Sequence, residues 1–317
     1  MSHPYDRLSP DLILDAIDSL GFVTDGRLFN LNSYENRVIQ VGIEDAAPLI
    51  AKFYRPDRWS DAAILEEHTF SLALAGEDIP VIAPIQRDGR SLFEHEGFRF
   101  AVFPRNGGRW PELDNADNLR WLGRFLARIH QLGSASRFEH RPATDAAALG
   151  REPADWLLAS GMLPAHFEST YATLVTQLLE QIETRFVQVQ PFILRLHGDC
   201  HPGNILWTDS GPHFVDMDDC RNGPMMQDLW MLLSGDSDAM RQQLNHLLEG
   251  YEMFRHFDDA EIQLIEPLRS LRMIHYAAWL ARRWDDPAFP VAFTWFGSSA
   301  YWEEHLRLLE DQLNLIS

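Results

Sequence analysis

The sequence has few of the residues that mark several classes of protein. Its 317 residues include only two cysteines, Cys200 and Cys220, which are too few for a disulfide framework. No apolar run approaches the ~20 residues of a membrane-spanning helix, and residues 1–6 do not resemble a signal peptide. Zinc-type Cys/His spacings, internal repeats and low-complexity tracts are also absent. We therefore expect a cytoplasmic protein that does not bind a membrane.

Basic residues are outnumbered by acidic ones. The chain has 47 Asp and Glu against 27 Lys and Arg, and its formal net charge is −20. Phosphate groups would be repelled by this charge, which argues against a nucleic-acid-binding surface. The length is sufficient for a large core and predicts two lobes, and we expect the chain to act as a monomer.

Lysine is almost absent. Lys52 is the only lysine among the 27 basic residues. If this position needed only a solvated charge, arginine would be the expected occupant. A compact ammonium group between phosphate oxygens and a carboxylate is a role that arginine fits poorly. Lys52 is therefore a candidate binding residue, and a surface lysine at a strand end is the weaker interpretation.

The most informative stretch that is present spans residues 194–219. It predicts a short apolar strand, a polar loop with a turn at Gly203, and two further strands that form a hairpin. Asp199, Asn204 and Asp216 follow the ends of these apolar segments and are predicted to meet at one point. Carboxylate and amide oxygens suit Mg²⁺, so Asn204 and Asp216 are candidate metal ligands and Asp199 is a candidate base. An ordinary turn followed by a solvated strand end is the alternative.

This constellation resembles the catalytic loop of the protein-kinase-like superfamily. Residues 197–204 match the His-Gly-Asp-x-His-x-Gly-Asn form of its aminoglycoside phosphotransferase and choline kinase branch. The resemblance implies an α+β, bilobal fold that binds ATP and Mg²⁺. A small N-lobe with an antiparallel sheet (residues 1–105) would be followed by a large, mostly helical C-lobe (residues 106–317). Asp199 and Asp216 would be catalytic, and Asn204 and Asp216 would hold the metal.

The resemblance also implies a carboxylate partner for Lys52, which would contact the ATP phosphates. Strand-like runs at residues 27–31, 37–43 and 48–54 predict the antiparallel sheet. A helix capped by Ser60 follows at residues 61–74 and contains two adjacent acids. Glu67 is the preferred partner of Lys52, and Glu66 is the alternative.

Residues 32–36 lie where kinases have a glycine-rich phosphate loop. The segment has no glycine. Phosphate contacts would therefore come from backbone N–H groups and from the side chains of Ser33 or Asn32. A polar hairpin turn without a binding role would have the same sequence pattern.

The end of the N-lobe is predicted before Gly107 and Gly108. Segments 79–84 and 97–104 have the pattern of its last strands. In the resembled fold this region is the hinge, whose backbone hydrogen-bonds the adenine ring. The residues concerned would be Val102, Phe103 and Arg105. A hydrophobic strand that leads into a loop is an equally economical interpretation.

The C-terminal half contains supporting features. The resemblance to kinases implies that Asp228, two residues before Trp230, opens a buried helix and supports the backbone of the catalytic loop. An acid favoured by the dipole at a helix N-terminus is a compatible interpretation. His130 ends the helix predicted over residues 118–130 and is interpreted as a helix-end histidine outside the site. Aromatic residues near the C-terminus would line a cationic substrate pocket through cation–π contacts, or fill the core: Tyr276, Trp279, Trp284, Trp295, Phe296 and Trp302.

Longer strings of residues resemble a group of bacterial serine/threonine protein kinases of the stress response within the same branch. These strings are residues 31–38, 52–56, 195–201, 227–233 and 282–284. They imply ATP-dependent phosphorylation of protein Ser/Thr, with autophosphorylation. A small-molecule hydroxyl kinase, for an amino alcohol, homoserine or an antibiotic, is the second interpretation. A catalytically silent ATP-binding scaffold is the third.

Overall fold

A five-stranded antiparallel sheet forms the N-terminal lobe of the computed structural model, which describes residues 4–31 and 33–317. The spatial order of the strands is β1-β2-β3-β5-β4, and every neighbouring pair is antiparallel. The predicted N-lobe sheet is therefore confirmed. Its strands are β1 (Thr24–Asn30), β2 (Arg37–Ile43), β3 (Leu49–Phe53), β4 (Phe93–His95) and β5 (Phe98–Pro104).

Two helices accompany this sheet, and each begins at a serine cap. Helix α1 (Pro10–Asp18) starts where the Ser9 hydroxyl accepts a hydrogen bond from a backbone N–H group of the first turn. Helix α2 (Asp61–Gly76) starts in the same way at Ser60, as the sequence predicts. The buried face of α2 carries Glu67 toward β3.

The C-terminal lobe is mostly helical. Two short strand pairs, β6 with β9 and β7 with β8, support the loops between them. The strands are β6 (Ile193–Leu196), β7 (Ile205–Thr208), β8 (Gly211–Phe214) and β9 (Arg221–Pro224). The helices are α3 (Ala116–Gly133), α4 (Glu152–Ser160), α5 (Ala165–Val189), α6 (Met226–Trp230), α7 (Ser237–Tyr251), α8 (Ile265–Arg282), α9 (Ala288–Ala292) and α10 (Ser299–Ile316).

The prediction of a strand at residues 79–84 is wrong. The strand that pairs with β5 is β4, at Phe93–His95. Pro80 and Pro84 have no N–H group to donate to a ladder, and the segment instead runs beside β8. The N–H group of Phe214 donates to the Pro80 carbonyl at 2.7 Å, and that of Ile82 donates to the Phe214 carbonyl at 2.9 Å. The segment therefore joins the two lobes.

The C-lobe has two hydrophobic cores. One packs around the short strands and includes the buried side chains of Leu196, Ile205, Phe214 and Leu229. The other lies among α4, α5, α8 and α10. No helix in the described ranges, residues 4–31 and 33–317, has the length and apolar character needed to span a bilayer.

Candidate active site

A cleft of about 410 Å³ is lined by residues of both lobes. Its walls come from the loop after β1, the loop after β6, the turn after β8 and one face of α8. Four residues that the sequence singles out lie together on these walls: Ser33, Asp199, Asn204 and Asp216. The predicted hinge residues, Val102, Phe103 and Arg105, do not line this cleft.

The candidate catalytic loop, residues 197–204, is held in place by a buried carboxylate. Asp228 accepts hydrogen bonds from the backbone N–H groups of His197 and Gly198, each at 2.8 Å. Gly198 has φ +84°, and a Cβ atom there would lie 2.2 Å from the carbonyl oxygen of Asp219. Only glycine fits this position. The surrounding groups therefore fix the backbone conformation of this loop.

Asp228 is itself held by a histidine that the sequence analysis placed outside the site. His130 Nε2 lies 3.1 Å from Asp228, and His130 Nδ1 lies 2.8 Å from the hydroxyl of Tyr251. His130 lies in the last turn of α3, as the sequence predicts, but its side chain is fully buried. Beneath the loop, Glu261 accepts a hydrogen bond at 3.0 Å from the N–H group of Met226, the first residue of α6.

Asp199, the candidate base, lies between two cationic or hydrogen-bonding side chains. Arg272 Nη1 donates to Asp199 Oδ1 at 2.5 Å, and His201 Nε2 lies 3.5 Å from Asp199 Oδ2. Burial opposes ionisation, but the hydrogen bond from His201 and the charge of Arg272 outweigh it and hold the pKa of Asp199 below its ordinary value. Asp199 is therefore a carboxylate at neutral pH.

Asn204 and Asp216 lie on adjoining loops, since the N–H group of Val215 donates to the Asn204 carbonyl at 3.0 Å. Asn204 Nδ2 donates to the carbonyl of Asp199 at 3.0 Å, and no hydrogen bond from the described residues reaches the amide oxygen. Asp216 adopts the left-handed conformation, with φ +59°, and its side chain is 51% exposed. An available amide oxygen and an exposed carboxylate fit Mg²⁺, which takes few protein ligands and completes its shell with water and phosphate oxygens.

Across residues 4–31 and 33–317, no group of three or more His, Cys, Asp or Glu side chains is arranged to hold a metal ion. A metal at Asn204 and Asp216 would therefore need further oxygen ligands from outside the protein. Nucleotide phosphates are the usual source of such ligands. The donor set fits a metal that arrives with a nucleotide better than a permanently bound one.

Lys52 faces three carboxylates. Its Nζ atom lies 3.0 Å from Asp218, 3.1 Å from Asp216 and 3.5 Å from Glu67. Burial disfavours the ammonium form, but these carboxylates, Asp218 first, raise the pKa of Lys52 well above its ordinary value. The solitary lysine of the chain is therefore charged and lies directly behind Asp216.

The two adjacent acids of α2, Glu66 and Glu67, have different partners. Glu67 lies beside Lys52, and its other carboxylate oxygen accepts a hydrogen bond from Arg141 at 2.7 Å. Glu66 accepts from the backbone N–H groups of Glu139 and His140, at 2.7 and 2.9 Å. Glu66 therefore holds the loop after α3 and does not contact Lys52.

Three arginines that the sequence analysis did not single out contact the site: Arg58, Arg141 and Arg272. Arg58 forms ion pairs with Asp218 and, at 2.9 Å, with Asp219. Burial opposes the charged form of Asp218, but Arg58 and Lys52 lower the pKa of Asp218 to about 2. These arginines reach carboxylates 73 to 161 positions away along the chain, so no local motif marks them.

Two residues of the segment expected to contact phosphates, Tyr34 and Glu35, contact the C-lobe. Glu35 Oε2 accepts a hydrogen bond from Trp279 Nε1 at 2.6 Å, and Glu35 Oε1 accepts from Arg283 Nε at 2.9 Å. The ring of Tyr34 lies 4.9 Å from that of Phe293, centroid to centroid. The loop after β1 is therefore bound to the C-lobe by side chains.

Of the two polar residues predicted to contact phosphate in this loop, Ser33 lines the cleft. Asn32 lies outside the described residues. The absence of glycine from the loop is thus accompanied by a set of specific side-chain contacts to the opposite lobe.

The predicted hinge lies at the end of β5. Val102 is fully buried inside the strand, and its carbonyl oxygen accepts a hydrogen bond from Ile85 at 2.7 Å. Phe103 is half-buried beside His68, with ring centroids 6.4 Å apart. Arg105 is the first residue beyond the strand, and its side chain donates to Gln40 at 3.3 Å. Backbone contacts of this segment with adenine stay a prediction.

The C-terminal aromatic residues divide between the two roles that the sequence allows. Tyr276 and Trp279 line the cleft. Phe296 and Trp302 are buried in the second core, against which Trp284 packs. Trp295 is 45% exposed and does not line the cleft.

The model of the phosphotransferase enzyme family APH matches residues 28–265. Stress response kinase A of Escherichia coli is 47% identical over 298 residues, which cover 94% of this chain and 90% of that protein. The serine/threonine protein kinase RdoA of Salmonella typhimurium is 44% identical over 312 residues, which cover 98% and 94%.

Two solved structures show the same fold at low sequence identity. An amicoumacin kinase in complex with AMP-PNP, Ca²⁺ and Ami is similar with a TM-score of 0.76 and 19% identity, over 95% of this chain and 93% of that one. A microcompartment-associated aminopropanol kinase has a TM-score of 0.72 and 20% identity, over 96% and 98%. The expected α+β kinase-like fold is therefore confirmed. The chain belongs to the phosphotransferase enzyme family.

Proposed function

We propose that the chain is an ATP- and Mg²⁺-dependent serine/threonine protein kinase of a bacterial stress response, able to phosphorylate itself. One observation carries the proposal: Asp199, Asn204 and Asp216 line a single cleft, and Lys52 lies 3.1 Å from Asp216. The similarity to kinases with stress response and serine/threonine names supports the protein substrate. We divide the lobes after residue 105, one residue beyond β5.

In this proposal ATP binds between the lobes with its phosphates near Lys52 and Ser33, and Phe103 and Arg105 lie toward its base. Asn204 and Asp216 would hold Mg²⁺, which supplies neutralisation of the phosphate charge. Glu67 keeps Lys52 oriented. Burial disfavours the ammonium form of Lys52, but Asp218, Glu67 and Asp216 raise its pKa well above the ordinary value.

Asp199 orients the acceptor hydroxyl and receives its proton. The hydroxyl oxygen forms a bond to the γ-phosphorus of ATP, while the bond from that phosphorus to the bridging oxygen breaks and its electron pair leaves with ADP. A carboxylate with a low pKa is a weak base, so its main contribution is orientation and late proton acceptance. Most of the acceleration then comes from positioning and charge neutralisation.

The test is phosphoryl transfer from γ-labelled Mg-ATP by the purified chain, alone, with a generic protein and with a panel of small alcohols. We expect label on Ser or Thr of protein, including the chain itself, and none with Asp199→Asn. Label only on a small alcohol would replace the proposal with a small-molecule hydroxyl kinase. No transfer to any acceptor, with ATP still bound, would leave the scaffold interpretation.

A further inference from the structure

One face of α8 forms the wall of the cleft next to the candidate base. Positions spaced by four, three, one and three residues fall on a single side of a helix. The five side chains concerned combine one cation, one imidazole, two aromatic rings and one aliphatic group, with no carboxylate. They are Leu268, Arg272, His275, Tyr276 and Trp279.

Arg272 occupies the position that an acceptor must approach. Its guanidinium donates to Asp199 Oδ1 at 2.5 Å and its side chain is 40% exposed, against 23% for Asp199. The other carboxylate oxygen lies 3.5 Å from both Asn204 Nδ2 and His201 Nε2. An acceptor hydroxyl that reaches Asp199 therefore lies beside the Arg272 guanidinium.

The cleft has no carboxylate to spare for a cationic acceptor. Four carboxylates line the described part of the cleft: Glu35, Asp199, Asp216 and Asp219. Glu35 is engaged by Trp279 and Arg283. Asp219 pairs with Arg58 at 2.9 Å. The remaining two are those that the proposed reaction itself uses.

The aromatic rings do not replace this missing carboxylate. Tyr276 and Trp279 stack on each other, with centroids 5.5 Å apart and an angle of 25° between planes. Trp279 also packs against Phe289 at 5.0 Å. Stacking covers one face of each ring, and a cation–π contact on the other face would contribute only about 0.5–1 kcal/mol, less than the roughly 1.5–3 kcal/mol of a charge-assisted hydrogen bond to a carboxylate.

His275 adds no charge to this wall. Burial first, and then the nearby charge of Arg221, lower the pKa of His275 to about 4, against the opposing effect of Asp219. His275 is therefore neutral at pH 7. Arg272 is the cation with the most exposure on this face of α8.

We propose that the preferred acceptor is a serine or threonine next to an acidic residue in a peptide, and that Arg272 determines this specificity. The inference rests on the proposed function and names its substrate class. The acidic residue takes the guanidinium of Arg272 away from Asp199 by forming its own charge-assisted hydrogen bonds with it. Asp199 Oδ1 is then open to the acceptor hydroxyl. The phosphoryl transfer itself is unchanged.

This preference acts at short range. The net charge of −20 repels an acidic peptide at a distance, whereas the pair with Arg272 forms only on contact. Salt screens the distant repulsion more strongly than a partly buried contact. Raising the salt concentration should therefore maintain or increase the preference for the acidic peptide.

The experiment uses three peptides that differ only beside one serine, where they carry Glu, Gln or Lys. We expect kcat/KM of the full chain to be roughly tenfold higher for the Glu peptide than for the Gln peptide, the range of one charge-assisted hydrogen bond. Arg272→Gln should reduce the ratio to near one, Arg272→Lys should retain most of it, and Arg272→Glu should favour the Lys peptide.

Arg269→Gln is the matched control, because Arg269 lies one turn away on α8, pairs with Glu266 at 3.5 Å and does not line the cleft. It should keep the wild-type ratio. Each ratio is internal to one variant, so a general loss of folded protein does not change it. A wild-type preference for the Lys peptide, or an unchanged ratio in Arg272→Gln, overturns this inference and leaves the kinase assignment standing. Transfer to no peptide, only to small alcohols, overturns both.

Discussion

Two of the loops that line the cleft, the loop after β1 and the loop after β6, are held in opposite ways. The catalytic loop, residues 197–204, is fastened within its own lobe by the buried carboxylate of Asp228. The loop after β1 is fastened across the cleft, where Glu35 binds Trp279 and Arg283. A change in the distance between the lobes therefore leaves the first set of bonds intact and must break the second.

The two kinds of fastening also differ in strength. A buried backbone N–H group left without a partner costs about 1–3 kcal/mol. The ion pair of Glu35 with Arg283 is better shielded from water than a surface pair, with side chains 11% and 23% exposed, but separation of the lobes returns both ions to water. The candidate catalytic loop should therefore keep its shape with or without ligand, whereas the loop after β1 loses its contacts to the C-lobe when the lobes separate. Four predictions test this difference.

The largest expected effect is on kcat, from changes at Asp199 in the candidate catalytic loop and at the candidate metal ligand Asp216. Asp199→Asn should lower kcat by roughly 10²–10⁴-fold, the range for loss of a general base, with nucleotide affinity largely retained. Asp216→Asn should lower kcat similarly and also weaken Mg²⁺-dependent nucleotide binding. Steady-state kinetics and calorimetric titration of nucleotide with and without Mg²⁺ measure both effects. Near-normal turnover in either variant would contradict the assignment.

Removal of the support beneath the loop should act on stability. Asp228→Ala leaves the N–H groups of His197 and Gly198 without their acceptor, and we expect about 2–5 kcal/mol less free energy of unfolding. Asp228→Asn keeps one oxygen acceptor and should lose less. Urea unfolding followed by tryptophan fluorescence measures both. Equal midpoints for Asp228→Ala and the wild type would show that the loop is held by something else.

The free energy of unfolding should depend on pH through Glu261, which accepts a hydrogen bond from the first residue of α6. Burial raises the pKa of Glu261 to about 7, against the opposing hydrogen bond from Met226. Because its pKa is higher in the folded state, Glu261 makes its full contribution to the free energy of unfolding below pH ~4.5. This contribution, roughly 3 kcal/mol at most, is lost as the pH rises through about 7. Urea unfolding at pH 5 and pH 8 should show this loss, and Glu261→Gln should abolish it. The same slope in Glu261→Gln would assign it to another group.

The smallest effect is expected for the contact across the cleft. Glu35→Gln removes the charge that pairs with Arg55 and Arg283 but keeps an acceptor oxygen, and it should lower the free energy of unfolding by about 1–2 kcal/mol. Nucleotide should dissociate several-fold faster, because fewer contacts hold the loop after β1 to the C-lobe. Glu94→Gln, at an exposed carboxylate on β4, is the matched control. Stopped-flow displacement of a fluorescent nucleotide measures the rate. A large loss of stability in Glu35→Gln would mean that this contact is structural.

The same contrast explains what the sequence could predict. Asp199 and Asn204 lie five positions apart in one loop, so their spacing alone predicts a shared site. Arg58 lies 161 positions from its partner Asp219, in the opposite lobe, and Arg272 lies 73 positions from its partner Asp199, in the same lobe. Contacts within a loop leave a local pattern, and contacts between distant elements do not.

Two other features of the structure differ from the sequence-based expectation, each for its own reason. Residues 79–84 have the apolar composition of a strand, but prolines at two of six positions remove the donors that a ladder needs. His130 has the sequence of a helix end, where a charge near the dipole is the usual interpretation. Its role depends on Asp228, 98 positions away.

Lys52 as the only lysine gives the chain an unusual chemical simplicity. Among its side chains, only one primary amine exists, and it lies 3.1 Å from Asp216, which lines the cleft, with 6% of its surface exposed. An acyl-phosphate nucleotide probe, which acylates a lysine next to bound phosphate, can therefore modify one side chain only. The intact mass of the acylated protein then reports directly on the occupancy of a single binding site.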